Sequence, residues 1–279
     1  MVSLFKKSRR STLLALLSLS ALNSSLTAWE SCDSSRCNRF YIGGFGGGIY
    51  SDSNEMSQMG TAFFTEAEGG PLAVFAEGRA NKTSSGFGGA QIGYEWSQSP
   101  CFGCADWNLT PAAEIEAYFY SHKKRGDLIN PTDRLPEHDF LDSFHMSMSS
   151  ILVNAVFSLN NSCFCRFTPY IGGGIGATHI SLSHADSLQV DPLEAGINHF
   201  NSQTSDTAWA FAAQAKAGLK YKICESFYVF GEYRYLFVDT SNYILGSTVY
   251  PTHAPTSPWN VKIKGTNYNA FAIGIQYDL

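Results

Sequence analysis

The groups in this 279-residue chain that could do chemistry are seven cysteines, seven histidines and a scatter of acids and bases set two residues apart. Cys101-Phe-Gly-Cys104 has the spacing of a redox dithiol or of half a zinc site. Cys32 with Cys37 and Cys163 with Cys165 are further close pairs, and Cys224 stands alone. A redox dithiol wants its first cysteine at a helix N-terminus, where its pKa falls. Here the pair lies in a turn between two strand-like segments, which argues against redox catalysis. Four thiolates from adjacent turns could hold zinc, but disulfides are the preferred reading for a chain exported to an oxidising compartment. Seven is odd, so at least one thiol is free or pairs with another chain, and the connectivity is not deducible.

A hydrolase needs a nucleophile, a base and an orienting group within hydrogen-bond reach. His122, His138, His145, His179, His184, His199 and His253 fall in long polar stretches or at strand ends. His179 and His184 straddle Ser181 and Ser183, the nearest approach to such a constellation, yet this spacing arises by chance in polar segments. The histidines show no ligand spacing that would support a metal site. No catalytic, cofactor-binding or metal-binding residue is therefore expected. The glycine-rich runs Tyr41–Ile49 and Tyr170–Ala177 are flanked by strands and followed by no Lys-Ser/Thr, which argues against a phosphate loop.

The elements that must position these groups are strands. At the C-terminus Phe271, Ile273, Ile275, Tyr277 and Leu279 share one parity, while Ala270, Ala272, Gly274, Gln276 and Asp278 share the other. Side chains of a strand alternate faces, so one face is large and apolar and the other small or polar. Eight segments have strand character: 39–50, 85–97, 108–121, 145–159, 166–181, 207–222, 226–238 and 265–279. Ile151, Val153, Ala155, Phe157 and Leu159 form a similar apolar stripe. Glu114, Glu116, Lys216, Lys220, Glu232 and Arg234 all lie opposite the apolar face of their own segments. Two architectures use such strands. A soluble sandwich would bury the apolar face against a second sheet; an outer-membrane barrel would turn it to lipid and line the lumen with the polar face.

The ends and the connections favour the barrel. Lys6, Lys7, Arg9 and Arg10 precede a short apolar core, Leu13–Leu22, then small and polar residues up to Ala28. This reads as a secretory signal over 1–28, with a retained anchor as the alternative. Residues 29–38 are then an N-terminal periplasmic segment and 39–279 the barrel. Formal charge is −5, and −9 without the signal's four basic residues, which argues against nucleic acid as a partner. Connections 98–107, 160–165 and 223–225 are short, whereas 51–84, 122–144, 182–206 and 239–264 are long and polar. Short periplasmic turns and long extracellular loops are the pattern of an outer-membrane barrel. The fold expected is all-β, an eight-stranded antiparallel transmembrane β-barrel with four long extracellular loops. Its lumen is just wide enough for side chains to fill, and the six inward charges would supply that plug. All seven cysteines would then lie on the periplasmic side. Loop 51–84 carries Met56, Met59, Phe63, Phe64 and Phe75, which are expected to pack on the barrel rim or to touch another molecule.

The signal, the eight alternating segments, Pro169–Ala177 and the closing Ala270–Leu279 resemble the small OmpA-like and surface-antigen outer-membrane β-barrels across 38–279. Members commonly end in an aromatic residue read by the assembly machinery, whereas this chain has Leu279, with Tyr277 two before it. The resemblance implies localisation in the bacterial outer membrane and a structural, antigenic or adhesive role rather than catalysis. The clustered cysteines resemble those of cross-linked envelope coats. The partners expected are outer-membrane lipid, other envelope proteins through disulfides, and a host-surface ligand. A small-solute channel and a lipid-modifying barrel enzyme are the alternatives.

Overall fold

The computed structural model describes residues 38–97, 99–100, 107–130, 138–161 and 166–279. The signal segment and Cys32, Cys37, Cys101, Cys104, Cys163 and Cys165 lie outside the described residues. Among the described residues there are thirteen strands. They are β1 (Arg39–Ser51), β2 (Asn54–Ala62), β3 (Leu72–Ala80), β4 (Thr83–Glu95), β5 (Ser99–Pro100), β6 (Trp107–Ile129), β7 (Asp139–Asn161), β8 (Phe167–Asp191), β9 (Asp206–Cys224), β10 (Phe227–Val238), β11 (Ser241–Leu245), β12 (Trp259–Ile263) and β13 (Thr266–Asp278).

Eight of them close a ring in the order β6-β4-β1-β13-β10-β9-β8-β7, with β7 pairing back onto β6. Every pairing is antiparallel, and each of the eight expected segments matches one ring strand, four of them running past its ends by one or two residues. A closed ring leaves no unpaired edge. The closing strand joins β1 to β10, with Ile42 opposite Tyr277 and Tyr228 opposite Gln276.

The faces are inverted relative to a soluble protein. Phe271 and Ile273 are 61% and 71% exposed on the outer wall, whereas Lys216 and Arg234 are 4% and 1% exposed inside. Inward glycines make the room that these long side chains need. A Cβ on Gly218 would lie 2.6 Å from the Tyr170 ring and 2.7 Å from Glu232 Cβ, so a larger residue there would displace both.

Each of the four connections expected to be long loops carries strand. β2 and β3 form a hairpin within 51–84, β11 and β12 lie within 239–264, and β6, β7 and β8 run on past the ring's short strands. The new strands keep the ring's order, since β11 pairs β12, β12 pairs β2, β2 pairs β3 and β3 pairs β6. The β8–β9 connection fills the gap beside β11, where Ala185 N donates to Thr204 O at 2.9 Å and Gly246 N donates to Gln203 O at 2.8 Å. The wall therefore continues as a second storey above four short breaks: 52–53, 81–82, 239–240 and 264–265.

In this storey the polarity reverses. Phe140, Phe144, Met146, Trp259, Val261 and Ile263 point inward and are buried, while Lys123, Arg125, Asn260 and Lys262 face out. The 51–84 apolar groups divide accordingly. Met56 is buried and Phe64 packs against the core, while Met59, Phe63 and Phe75 stay exposed.

Candidate functional site

Six charged residues legible in the sequence come from β6, β9 and β10, and the ring carries them to one lumen. Period-two alternation aims Glu114 and Glu116 inward from β6, Lys216 and Lys220 from β9, and Glu232 and Arg234 from β10. Lys216 Nζ bridges to Glu114 and lies 3.3 Å from Glu116 Oε2. Arg234 stands 3.1 Å from Glu116 Oε2 and bridges to Glu232. The Lys216–Glu114, Lys216–Glu116 and Arg234–Glu116 pairs thus cross the lumen between strands that are not neighbours, whereas Arg234 and Glu232 both stand on β10.

Neutral donors complete this network. Tyr41 donates to Glu114 at 2.9 Å, Tyr170 donates to Glu232 at 2.8 Å, and Asn154 donates to Glu114 at 3.2 Å. Gln214 donates to Asn154 at 2.7 Å and also to Glu116. The Arg234 guanidinium sits 4.0 Å from the Phe45 ring centroid, a favourable placement for a buried cation. Removing one partner from such a buried pair leaves an uncompensated charge, which costs far more than an exposed pair contributes.

Lys220 belongs to a second layer near the short turns. It lies 5.3 Å from the Tyr41 and Tyr170 ring centroids and 4.0 Å from Glu95. Arg39 lies 2.6 Å from Glu95 and bridges to Asp278. Sequence reasoning missed Arg39, Glu95 and Asp278. They sit at the extreme ends of β1, β4 and β13, where alternation is hard to distinguish from the start of a turn. Their register, with Arg39 opposite Glu95, was the signal that could have found them.

Above the charges the lumen is closed by rings. Phe45, Phe87, Tyr118, Tyr120, His122 and Tyr268 stack or meet edge to face at centroid separations of 5.4–6.2 Å. Lys124 follows, donating to Ser51 Oγ and Asp52 O, each at 3.3 Å.

The remaining candidates are dispersed. Ser183 Oγ and His184 Nδ1 lie 3.3 Å apart, but on the outer wall. His184, with φ 51°, sits where the β7–β8 register slips between Ser143 and His145, so it is a bulge residue. His179 packs on Trp209 with centroids 4.9 Å apart. Cys224, the one cysteine among the described residues, is the exposed last residue of β9, at the same end as Leu279.

A family model described as surface antigen matches residues 109–273. The outer membrane protein PagN of Salmonella typhimurium strain LT2 is 32% identical over 89 residues, which are 32% of this chain and 34% of PagN. The match thus spans about a third of that relative's length. Among solved structures, the outer membrane protein OprG of Pseudomonas aeruginosa aligns over 88% of this chain and 98% of its own, at 13% identity and a TM-score of 0.42. Neisserial surface protein A aligns over 85% and 96%, at 10% identity and a TM-score of 0.35.

Proposed function

The chain belongs to the surface-antigen family of outer-membrane β-barrels, and from that premise we propose that it is a non-enzymatic surface protein acting by contact at its loop end. It is a protein of the bacterial outer membrane. We read the ring as an eight-stranded antiparallel transmembrane barrel, its short turns in the periplasm and its second storey outside the cell. Outward positions of Ile151–Leu159, Trp209–Ile223 and Phe271–Leu279 carry no Asp, Glu, Lys or Arg, as a lipid-facing belt requires. Phe271–Leu279 is nine residues long, close to the roughly 9–11 residues of a spanning β-strand. Glu114, Glu116, Lys216, Lys220, Glu232 and Arg234 serve as the lumen plug.

One observation carries the contact role. Ile244, Met59 and Phe75 stand in one cross-strand row on the outer face of β11, β2 and β3, interrupted by Asn260 of β12. All three are exposed, and they lie above the level where the wall turns polar, out of reach of lipid. Grouped exposed apolar side chains mark interaction surfaces, whereas single ones do not. The partner class proposed is a host-surface ligand. Bacteria displaying the protein should adhere to cultured host cells, and combining Met59→Ser with Phe75→Ser should abolish most of that adherence while the folded band persists on unheated gels. Adherence equal to wild type would overturn the contact role.

The cysteines support a second attachment at the other end. We place Cys32, Cys37, Cys101, Cys104, Cys163, Cys165 and Cys224 in the periplasm, where disulfides persist, and propose cross-links to other envelope proteins. Native envelopes run without reductant should show the protein above its monomer position; a monomer band indifferent to reductant contradicts this.

A further inference from the structure

Three side chains that are not neighbours in sequence meet at the mouth of the second storey. Glu194 and His199 belong to the β8–β9 connection and His253 to the β11–β12 connection. His199 Nε2 lies 3.6 Å and His253 Nε2 3.3 Å from the same oxygen, Glu194 Oε2. One ligand atom from each falls within 4.8 Å of the other two. That spacing is compatible with three ligands about one ion, each roughly 2.0–2.2 Å from it.

The far side of each ring fixes the chemistry. His199 Nδ1 is 2.9 Å from Ser187 O, and His253 Nδ1 is 2.6 Å from Ala254 O. A carbonyl can only accept, so both Nδ1 atoms carry the hydrogen, and in the neutral rings both Nε2 atoms present lone pairs. Two lone pairs and a carboxylate oxygen then face one another, an all-acceptor arrangement. A single proton can relieve one of these pairs; a single divalent ion satisfies all three groups. A backbone carbonyl holding the outer nitrogen is also the arrangement that orients metal-bound imidazoles.

The rings are held in place before any ion arrives. His199 is buried edge to face against Phe140, centroids 5.1 Å apart, and Thr248 Oγ1 donates to its carbonyl at 3.0 Å. The group opens on a cavity of about 500 Å³ that His138 also lines. His138 Nδ1 is buried and has no hydrogen-bond partner among the described residues, which leaves it available as a fourth ligand or as a contact to a bound water.

We propose that Glu194, His199 and His253 form a divalent transition-metal site that ties the β8–β9 connection to the β11–β12 connection at the extracellular mouth. Two imidazoles and a carboxylate suit zinc, and they bind cobalt less tightly in the same geometry. The ligand set leaves a coordination position open toward the cavity.

The test uses the full barrel refolded in detergent and stripped with chelator. Because the periplasmic cysteines could also take up metal, cobalt is the first probe: thiolate ligands add an intense charge-transfer band, whereas imidazole and carboxylate ligands do not. The expected result is one equivalent of cobalt bound without a thiolate band, displaced by zinc and not by magnesium. His253→Ala and Glu194→Gln, each migrating as folded on unheated gels, should weaken zinc binding by at least roughly the 10–100-fold that disturbing a ligand's supporting contacts costs. Wild-type protein that takes up cobalt only with a thiolate band, or variants that bind zinc as tightly as wild type, would overturn the assignment.

Discussion

Arg234 stands between two carboxylates, 3.1 Å from Glu116 and bridged to Glu232, with the Phe45 ring against its guanidinium. Without it Glu232 keeps Tyr170, and Glu116 keeps Gln214 and a share of Lys216, which also serves Glu114. Arg234→Ala should therefore destabilise the folded protein by about 3–5 kcal/mol, the usual consequence of stranding a buried charge. Urea unfolding in lipid vesicles measures it, and a loss under about 1 kcal/mol, typical of an exposed pair, would contradict the buried network. Asp142 makes the complementary case above the membrane. Burial pushes its pKa up to about 8, only partly opposed by Ser187. With its amide nitrogen turned inward, Gln58 donates to the two Asp142 oxygens at 2.9 and 3.0 Å. An unfolded Asp ionises near pH 4, so between about pH 4 and 8 the folded state holds one more proton than the unfolded state, and stability falls as pH rises. The interval from about pH 6.5 to 8 lies above the range in which an unfolded histidine titrates, so there the Asp142 slope is the one to read. Wild type should lose stability against Asp142→Asn across that interval, by comparison of urea midpoints; parallel curves for the two proteins would contradict the buried carboxyl.

Strands in this protein change character along their length. β7 presents Ile151, Val153 and Phe157 outward in its lower half, but Ser147 and His145 outward higher up, where Phe144 and Met146 turn inward. Along β7 the alternation never stops; only the solvent on the outer side changes, from lipid to water. This explains what could be read from the sequence. The eight ring segments were legible because apolar stripes contrast with inward charges, and Lys216, Glu232 and Arg234 were legible with them. The second storey was not. In His122-Lys-Lys-Arg-Gly-Asp-Leu-Ile129 both faces carry polar groups, so a paired strand reads as a polar loop. The Glu194, His199 and His253 group was hidden for a different reason, since its ligands come from two connections brought together only when β11 docks beside the β8–β9 segment. The inversion makes a direct prediction. Ile273→Lys, on the outer face of β13, should cost about 2–4 kcal/mol in lipid, read from unfolding midpoints in vesicles. Lys262→Ile, on the outer face of β12 above the breaks, should change stability by no more than about 0.5 kcal/mol, as a surface substitution does. Equal effects at the two positions would contradict a lipid boundary between them.

Among the described residues, side chains line the interior in successive layers. The Arg39, Glu95 and Asp278 layer closes the turn end, the Lys216 and Arg234 network follows, and stacked rings lie above it. The Phe144, Trp259 and Val261 core occupies the second storey. On the role proposed above, such an interior offers solutes no path and partners meet the outer surface. The proposed role divides a packed interior from a working exterior. The most direct test is the current across a planar bilayer after insertion of the refolded wild-type protein, with folding verified by its migration on unheated gels. The account predicts a membrane as silent as one without protein; stable unitary conductance steps that scale with the protein added would contradict it.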